Sequence, residues 1–279
     1  MEPIPFPVSS LEADDLAALG QAKRALETEP LAMKLAAAVG TPIERLIARL
    51  PASAQEAVTD ATRRALEKCL QVASSTLGTR GTNGVASTGA RDRLHKLAVA
   101  TTGAAGGAFG LIALPAELPL TTTLMFRSIL DIARSEGENL GSIETRLQCL
   151  SVFGLGGGSA SRDEEADFGY FVVRAALAQS VSKASSDLAA KGLMSHASPA
   201  LMRLLNAIAA RFSVQVSEQV AAKSIPAIGA VLGALANTVF IDHFQHTAHG
   251  HFTVRRLERR YGTDAVRAAY QTIEPAPNG

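Results

Sequence analysis

The sequence predicts an all-α protein, and three observations lead to this prediction. Apolar residues recur at helical spacing along most of the chain, and few stretches alternate strictly between apolar and polar residues. Hydrophobic residues make up 47 % of the 279 residues and aromatic residues only 5 %, with no Trp, a composition that suits closely packed helices. Two segments, Leu97–Ala116 and Ile225–Ile241, carry no charge. We therefore expect a multi-helix bundle with two central Gly-rich apolar hairpins, residues 91–136 and 200–250.

Charge and cysteine content limit the classes of function. The chain has 27 Lys and Arg residues against 26 Asp and Glu residues, so it lacks the basic footprint of a nucleic-acid-binding protein and we expect no nucleic acid partner. Cys69 and Cys149 are the two cysteines, and their spacing indicates no disulfide framework, which suits a reducing compartment. The start, MEPIPFPVSSLEADD, lacks the basic and apolar regions of a signal peptide. We therefore expect a cytoplasmic location.

Residues 1–78 are predicted to form an N-terminal helical region, and a Gly/Ser/Thr-rich linker at 79–90 follows it. Gly40 is placed to end one helix, and Ser53 with Glu56 has the spacing of a capping box that begins another. The predicted helices of this region are Leu11–Glu29, Leu31–Val39, Ile43–Leu50 and Ser53–Leu77.

Residues 91–262 are predicted to form the main helical domain, with a C-terminal helix and tail at 263–279. The sequence Pro115-Ala-Glu-Leu-Pro119 is expected to break a helix, because proline interrupts the backbone hydrogen bonds, and Pro119 then begins the next one. The predicted helices are Arg91–Leu114, Pro119–Ser135, Ser142–Phe153, Asp163–Ala190, Ser198–Lys223, a segment from Ile225 through the histidines, a basic helix ended by Gly262, and Asp264–Thr272.

Several short motifs of this domain together point to a family. They are Leu118–Thr122, Met125–Ile129, Ile132-Ala133, Cys149–Phe153, Gly169-Tyr170 with Arg174, Ile225–Ala230, Asn237, Phe240, His251-Phe252 and Arg256–Glu258. In these residues the chain resembles the EcsC family of bacterial proteins, over residues 90–262, with residues 1–80 outside the resemblance. The resemblance implies a helical protein without an established catalytic mechanism. The family's namesake is encoded with an ABC transporter of the Ecs type, which implies an accessory role near a membrane.

The two uncharged segments have two interpretations. Leu97–Ala116 has the length of a membrane-spanning helix, about 20 residues, but it is rich in Ala, Gly and Thr rather than Leu and Ile. Ile225–Ile241 is shorter and contains Pro226 and Asn237. We favour two helices that are hydrophobic all round because they are buried all round. Insertion into a bilayer, or contact with its surface, stays open.

Glu117 lies between two prolines in an apolar part of the chain, where a carboxylate is costly to bury unless it is paired. One hypothesis makes it a structural carboxylate that accepts helix N-terminal N–H groups or pairs with Arg127. The other makes it a catalytic acid or base, or a metal ligand. Asn237, the strongly polar residue of the second uncharged segment, is expected to be a structural polar group like Arg127.

A cluster of histidines follows the second uncharged segment. Asp242, His246 and His249 are spaced i, i+4 and i+7, so they share one face of a helix. One carboxylate and two imidazoles can bind zinc or a similar divalent ion if a fourth ligand comes from elsewhere. The other hypothesis is a polar helix end whose histidines complement the helix dipole. No His-Glu-x-x-His motif occurs, so a zincin protease is not supported, and we expect no cofactor unless this zinc site forms.

A basic helix face completes the set of candidate sites, with Arg255, Arg256, Arg259 and Arg260. One hypothesis is contact with anionic lipid headgroups or an acidic partner. The other is an ordinary solvated face on which Glu258 gives local pairing.

These features favour a non-enzymatic bacterial accessory protein at the inner face of the cytoplasmic membrane, bound to the membrane surface or to a membrane protein such as an ABC transporter. The alternative is a metal-dependent hydrolase with Asp242, His246 and His249 as ligands and Glu117 as acid or base. That alternative requires Glu117 to lie near His246, because a metal-bound water needs a nearby base.

Overall fold

The computed structural model of the protein describes residues 11–27, 29–75, 114–156, 166–191, 198–224 and 229–273. Of these residues, 88 % are helical and none lies in a strand, which confirms the predicted all-α class. The helices are α1 (Ala13–Leu26), α2 (Leu31–Val39), α3 (Ile43–Ile47), α4 (Ala52–Ser75), α5 (Leu114–Ser135), α6 (Ile143–Leu155), α7 (Ala166–Lys191), α8 (Pro199–Lys223), α9 (Gly229–Tyr261) and α10 (Thr263–Thr272).

Local sequence signals define several helix ends as predicted. Gly40 ends α2 in the left-handed conformation, with φ of +70°, which a glycine adopts without strain. Ser198 caps the start of α8, because its Oγ accepts a hydrogen bond from the N–H of Leu201 at 3.4 Å and Pro199 takes the first helical position. Gly262, with φ of +88°, separates α9 from α10.

Several helix bounds differ from the prediction: α3 ends at Ile47 rather than Leu50, and α4 begins at Ala52, so Ser53 lies inside it. The larger differences concern α5 and α9. The expected break at Pro115–Pro119 is wrong, since α5 begins at Leu114 and contains Pro119. Pro119 lies close to the start of α5, where its missing N–H removes a single backbone hydrogen bond. The helix α9 is continuous over 33 residues, so the histidines and the basic stretch share one axis. The predicted linker at 79–90 and the segment 91–113 lie outside the described residues.

The helices α8 and α9 are central. The helix α9 packs against α1, α2, α5, α6, α8 and α10, and α8 also packs against α3, α4 and α7. The two central helices are antiparallel, because Phe212 of α8 contacts Phe244 of α9, with ring centroids 5.5 Å apart, while Gln219, later on α8, contacts Asn237, earlier on α9. The N-terminal helices pack directly on the rest, with α1 and α2 on α9 and α4 on α5 and α8.

The main core contains an aromatic cluster between α5, α6, α8 and α9. Its members have no solvent-exposed surface, and neighbouring ring centroids lie 4.8–6.5 Å apart, within the range of favourable aromatic contacts. They are Phe126, Phe153, Phe212, Phe240 and Phe244. A second, smaller core joins α1, α7, α9 and α10, and it contains Leu19, Ala22, Tyr170, Val254, Leu257, Val266 and Tyr270.

Polar contacts join α5 to α9 along their length. They are Asn237 Nδ2 to Glu117 Oε1 at 3.1 Å, Gln245 Nε2 to Ser128 Oγ at 2.8 Å, and Arg256 Nε to Glu136 Oε2 at 2.8 Å. The paired residues are 120, 117 and 120 positions apart in the sequence, so the two helices run in the same direction. We call the end of the bundle at Glu117 and Asn237 the Glu117 end, and the end at Glu136 and Arg256 the arginine end. They lie about 28 Å apart along α9.

Candidate functional site

Glu117 belongs to a buried polar network at the Glu117 end. Lys223 Nζ, from the last turn of α8, donates to Glu117 Oε1 at 2.5 Å, and Asn237 Nδ2 of α9 donates to the same oxygen at 3.1 Å. Gln219 Nε2 of α8 donates to Asn237 Oδ1 at 2.5 Å. The network therefore ties the start of α5, the end of α8 and the first turns of α9 together.

The charges of this network compensate each other. The Glu117 and Lys223 side chains are each only 9 % exposed. Burial lowers the pKa of Lys223, while the charge of Glu117 and the hydrogen bond to it act in the opposite direction. A carboxylate in the first turn of α5 and an ammonium in the last turn of α8 also complement both helix dipoles. The geometry is that of a structural ion pair.

Glu117 pairs with Lys223 and not with Arg127, which is one of the two partners that the sequence suggests for a structural carboxylate. Arg127 is exposed and lies about 15 Å further along the same helix. Asn237, in contrast, has no exposed surface and bonds to Glu117, as a structural polar group does. Sequence reasoning missed Lys223, although a signal exists: Glu117 is the first charged residue after one uncharged segment, and Lys223 is the last before the other.

Exposed leucines lie beside this network. Leu120, one turn after Glu117 on α5, is 52 % exposed, and Leu235, near the start of α9, is 39 % exposed. Because Glu117 contacts Lys223, the start of α5 lies beside the end of α8. The Glu117 end thus combines a neutralised polar network with exposed apolar side chains.

The predicted metal ligands Asp242, His246 and His249 lie on α9. Among the described residues, no group of three or more His, Cys, Asp or Glu side chains is placed to hold a metal ion. His246 is exposed, and its Nδ1 donates to the carbonyl oxygen of Asp242 at 2.7 Å. Lys34 of α2 lies near Asp242: burial lowers the pKa of Lys34, and the charges of Glu29 and Asp242 raise it. Zinc binding by Asp242, His246 and His249 stays a prediction.

The structure does not bring Glu117 to His246. Glu117 bonds to Asn237, and His246 follows nine residues later on the same helix. Nine residues rotate a helix by about half a turn and advance it by about 14 Å. Asn237 is buried while His246 is exposed, which agrees with opposite faces. A base at Glu117 is therefore remote from an ion held at His246.

Two other histidines of α9 are buried, and no sequence signal separated them from His246. His243 Nε2 donates to the carbonyl oxygen of Gly156 at the end of α6, and burial lowers the pKa of His243 to about 4. His251 Nδ1 lies 2.9 Å from the hydroxyl of Tyr170 on α7, and burial holds the pKa of His251 well below its ordinary value. Both imidazoles are neutral near pH 7 and join α9 to its neighbours.

The four arginines at the arginine end face four carboxylates. The ion pairs are Arg255 and Arg259 with Glu138, Arg256 with Glu136 and Asp15, and Arg260 with Asp15 and Glu12. Burial raises the pKa of Glu138, but Arg255 and Arg259 outweigh this and lower it. These contacts join α9 to the start of α1 and to the turn between α5 and α6.

The expectation that Glu258 pairs locally on this face is wrong. Glu258 instead accepts two hydrogen bonds from Arg174 of α7, at 2.8 and 2.5 Å. A bidentate guanidinium–carboxylate contact of this kind is among the stronger polar contacts. Contact of the four arginines with lipid stays a prediction, and their pairing with carboxylates reduces the positive charge that such contact requires.

The polar clusters in the described part of this all-α bundle join neighbouring helices. No helix in the described part of the chain is both long and apolar enough to cross a membrane. The sequence matches the EcsC protein family over residues 13–257, and the chain therefore belongs to this family. The match begins at α1, so the expected exclusion of residues 1–80 is wrong; α1 and α2 pack on α9 as part of the same body. No curated protein and no solved structure matches the chain.

Proposed function

We propose that this EcsC-family protein is a non-enzymatic accessory protein that attaches to the cytoplasmic face of the membrane through its Glu117 end. The same end can attach to a membrane protein, such as an ABC transporter, instead of to the lipid surface. The observation that carries the proposal is the contact between Glu117 and Lys223. Through it, the start of α5 meets the end of α8, and exposed Leu120 on α5 and Leu235 on α9 lie at the same end of the bundle.

Burial of these leucines supplies a modest driving force. Moving a fully exposed leucine side chain out of water contributes about 1.5–3 kcal/mol. Leu120 and Leu235 are already about half buried, so each contributes roughly half of this, and the two support reversible rather than permanent attachment. Because the ion pair at this end is already neutralised, little charge has to be desolvated on contact with a bilayer. The attachment is therefore apolar in origin, and salt does not weaken it as it weakens binding through basic side chains.

The hydrolase alternative receives less support from the geometry. Glu117 is held by Lys223 and Asn237, on the face of α9 opposite His246. A hydrolase that uses Asp242 and His246 would therefore need a different base. Metal analysis of protein purified without a histidine tag tests its first requirement, and a stoichiometry near zero after zinc addition ends it.

Flotation with lipid vesicles tests the proposal. Wild-type protein is expected to float with phosphatidylcholine vesicles as well as with vesicles that contain phosphatidylglycerol, and high salt should not release it. The L120E and L235E variants should each bind about tenfold or more weakly, since each replaces an apolar contact by a charge. V172E is the matched control, because Val172 on α7 is 61 % exposed.

Native membrane vesicles extend this test to a membrane protein partner. Binding to native membranes but not to lipid alone, lost in L120E and kept in V172E, indicates attachment to a membrane protein by the same end. The proposal fails if wild-type protein binds neither preparation, or if V172E is impaired as strongly as L120E.

A further inference from the structure

A groove separates the turn between α3 and α4 from α8. One side is lined by Gln55 and by the apolar side chains of Ile47, Leu50, Pro51, Ala54 and Val58, and Ser217 of α8 lines the other. Its volume is about 110 Å³. An apolar cavity of roughly 150 Å³ accommodates benzene, so this groove has room for one aliphatic side chain.

Exposed apolar side chains continue from the groove onto its rim. Ile47 is 37 % exposed, and Val214, one turn before Ser217 on α8, is 58 % exposed. Isolated exposed apolar residues are common on protein surfaces, but an apolar rim around an apolar groove is typical of a binding surface.

Two carboxylates flank the same rim. Glu218 follows Ser217 and lies one turn after Val214 on α8, and Glu44 lies one turn before Ile47 on α3. No hydrogen bond or ion pair within the described residues engages the Glu218 carboxylate. Burial raises the pKa of Glu218 to about 7, and the neighbouring charge of Glu44 contributes. Glu44 is the charged group that acts on Glu218 in the described part of the chain.

We propose that this groove binds a short segment of a protein partner, which inserts an apolar side chain beside Val58 and places a lysine or arginine against Glu218 and Glu44. The proposal is independent of membrane attachment through the Glu117 end. A cation on the partner supplies the charge that the half-buried carboxylate lacks within the described chain, through a charge-assisted hydrogen bond.

Charge complementarity separates this occupant from two others. An anionic lipid surface would bring negative headgroups against Glu44 and Glu218, which repels rather than attracts. A second copy of the chain related by a twofold axis would present the same patch to itself, so that Glu44 and Glu218 of both copies would gather in one interface. A peptide with an apolar and a basic side chain complements both the groove and the carboxylates at its rim.

Two short fluorescein-labelled peptides test the proposal with the full-length protein: Gly-Ser-Phe-Lys-Lys-Leu-Ser-Gly, and the same peptide with Glu in place of both Lys. Fluorescence anisotropy is expected to show binding of the Lys peptide and none of the Glu peptide. E218Q should bind the Lys peptide about tenfold more weakly, because a hydrogen bond to a charged group is lost. E67Q is the matched control, since Glu67 is exposed on α4, away from the groove.

The pH dependence gives an independent readout. Since only the ionised carboxylate attracts a cation, wild-type protein should bind the Lys peptide more tightly above pH about 7 than below it. E218Q should lose most of this difference. S217F, which fills the groove from α8 without changing its charge, should prevent binding while vesicle flotation through the Glu117 end stays intact.

Several results would overturn the proposal. Equal binding of the Lys and Glu peptides, equal binding by wild type and E218Q, or no binding of either peptide would each exclude the groove as a basic-peptide site. If S217F instead abolishes vesicle binding or self-association, the occupant is lipid or a second copy of the chain, and the proposal is wrong.

Discussion

The ion pair between Glu117 and Lys223 can be tested by breaking it from each side and from both. Lys223 Nζ and Glu117 Oε1 are 2.5 Å apart and both side chains are 9 % exposed. At an effective dielectric constant of about 20, their attraction is about 7 kcal/mol before desolvation is subtracted. Removing one partner of a buried pair leaves an uncompensated charge and typically costs about 3–5 kcal/mol.

The expected costs follow from what each variant leaves behind. K223M leaves the Glu117 carboxylate with only the amide of Asn237 as a donor in the known network, and we expect it to cost about 3 kcal/mol. E117Q leaves the Lys223 ammonium uncompensated and should cost about 2–3 kcal/mol. The double variant E117Q/K223M leaves no charge in this network and keeps an acceptor for Asn237, so it should cost only about 1 kcal/mol.

Urea unfolding followed by circular dichroism measures these free energies. R134M is the matched control, because Arg134 forms a longer ion pair of 3.6 Å with Asp131 and is 47 % exposed; we expect a cost below about 0.5 kcal/mol. The reasoning is refuted if the costs of the two single variants simply add in the double variant. A cost of K223M as small as that of R134M would also refute it.

Three further predictions concern buried contacts elsewhere. In G156A the new Cβ would lie 2.9 Å from His243 Nε2, so we expect the free energy of unfolding in urea to fall by about 1–3 kcal/mol. The control is G20A, which should not destabilise the protein because the nearest atom to its new Cβ is 3.7 Å away. Burial holds the pKa of His243 at about 4, so the unfolded chain binds the extra proton first, and stability should fall by about 3 kcal/mol as pH drops from about 6.5 to 4. H243Q should therefore lose less stability than wild type over this pH range. Equal slopes of unfolding free energy against pH for H243Q and wild type would contradict the prediction. E138Q should cost about 2–3 kcal/mol. The arginines lower the pKa of Glu138, so the stability that its carboxylate contributes is lost as pH falls below the ordinary pKa of a glutamate, and E138Q should lose less stability in acid than wild type. Equal acid unfolding of E138Q and wild type would count against the pairing.

Much of the fold follows from local signals in the sequence. The position of Gly40 and the Ser198-Pro199 pair mark helix ends that the structure confirms, because these residues act on the backbone beside them. Pro119 misled the prediction, since proline near a helix start is tolerated and the surrounding apolar residues favour continuing the helix.

The partners of the charged side chains could not be predicted in the same way. Glu117 and Lys223 are 106 positions apart, and Arg260 and Asp15 are 245 apart, so nothing local links them. In the sequence alone, the basic face around Arg260 therefore resembles a lipid-binding surface, and its carboxylate partners become visible only in the folded structure. The position of Glu117 and Lys223 at the borders of the uncharged segments was the one available signal.

Fractionation of untagged protein from its native cells tests attachment through the Glu117 end most directly. We expect wild-type protein in the membrane fraction after a high-salt wash, because the proposed contact is apolar, and we expect L120E in the soluble fraction while V172E stays with the membrane. Release of wild-type protein by salt would instead indicate attachment through basic side chains such as Arg259. Wild-type protein that is entirely soluble, or an L120E variant that remains with the membrane, would contradict the proposed function.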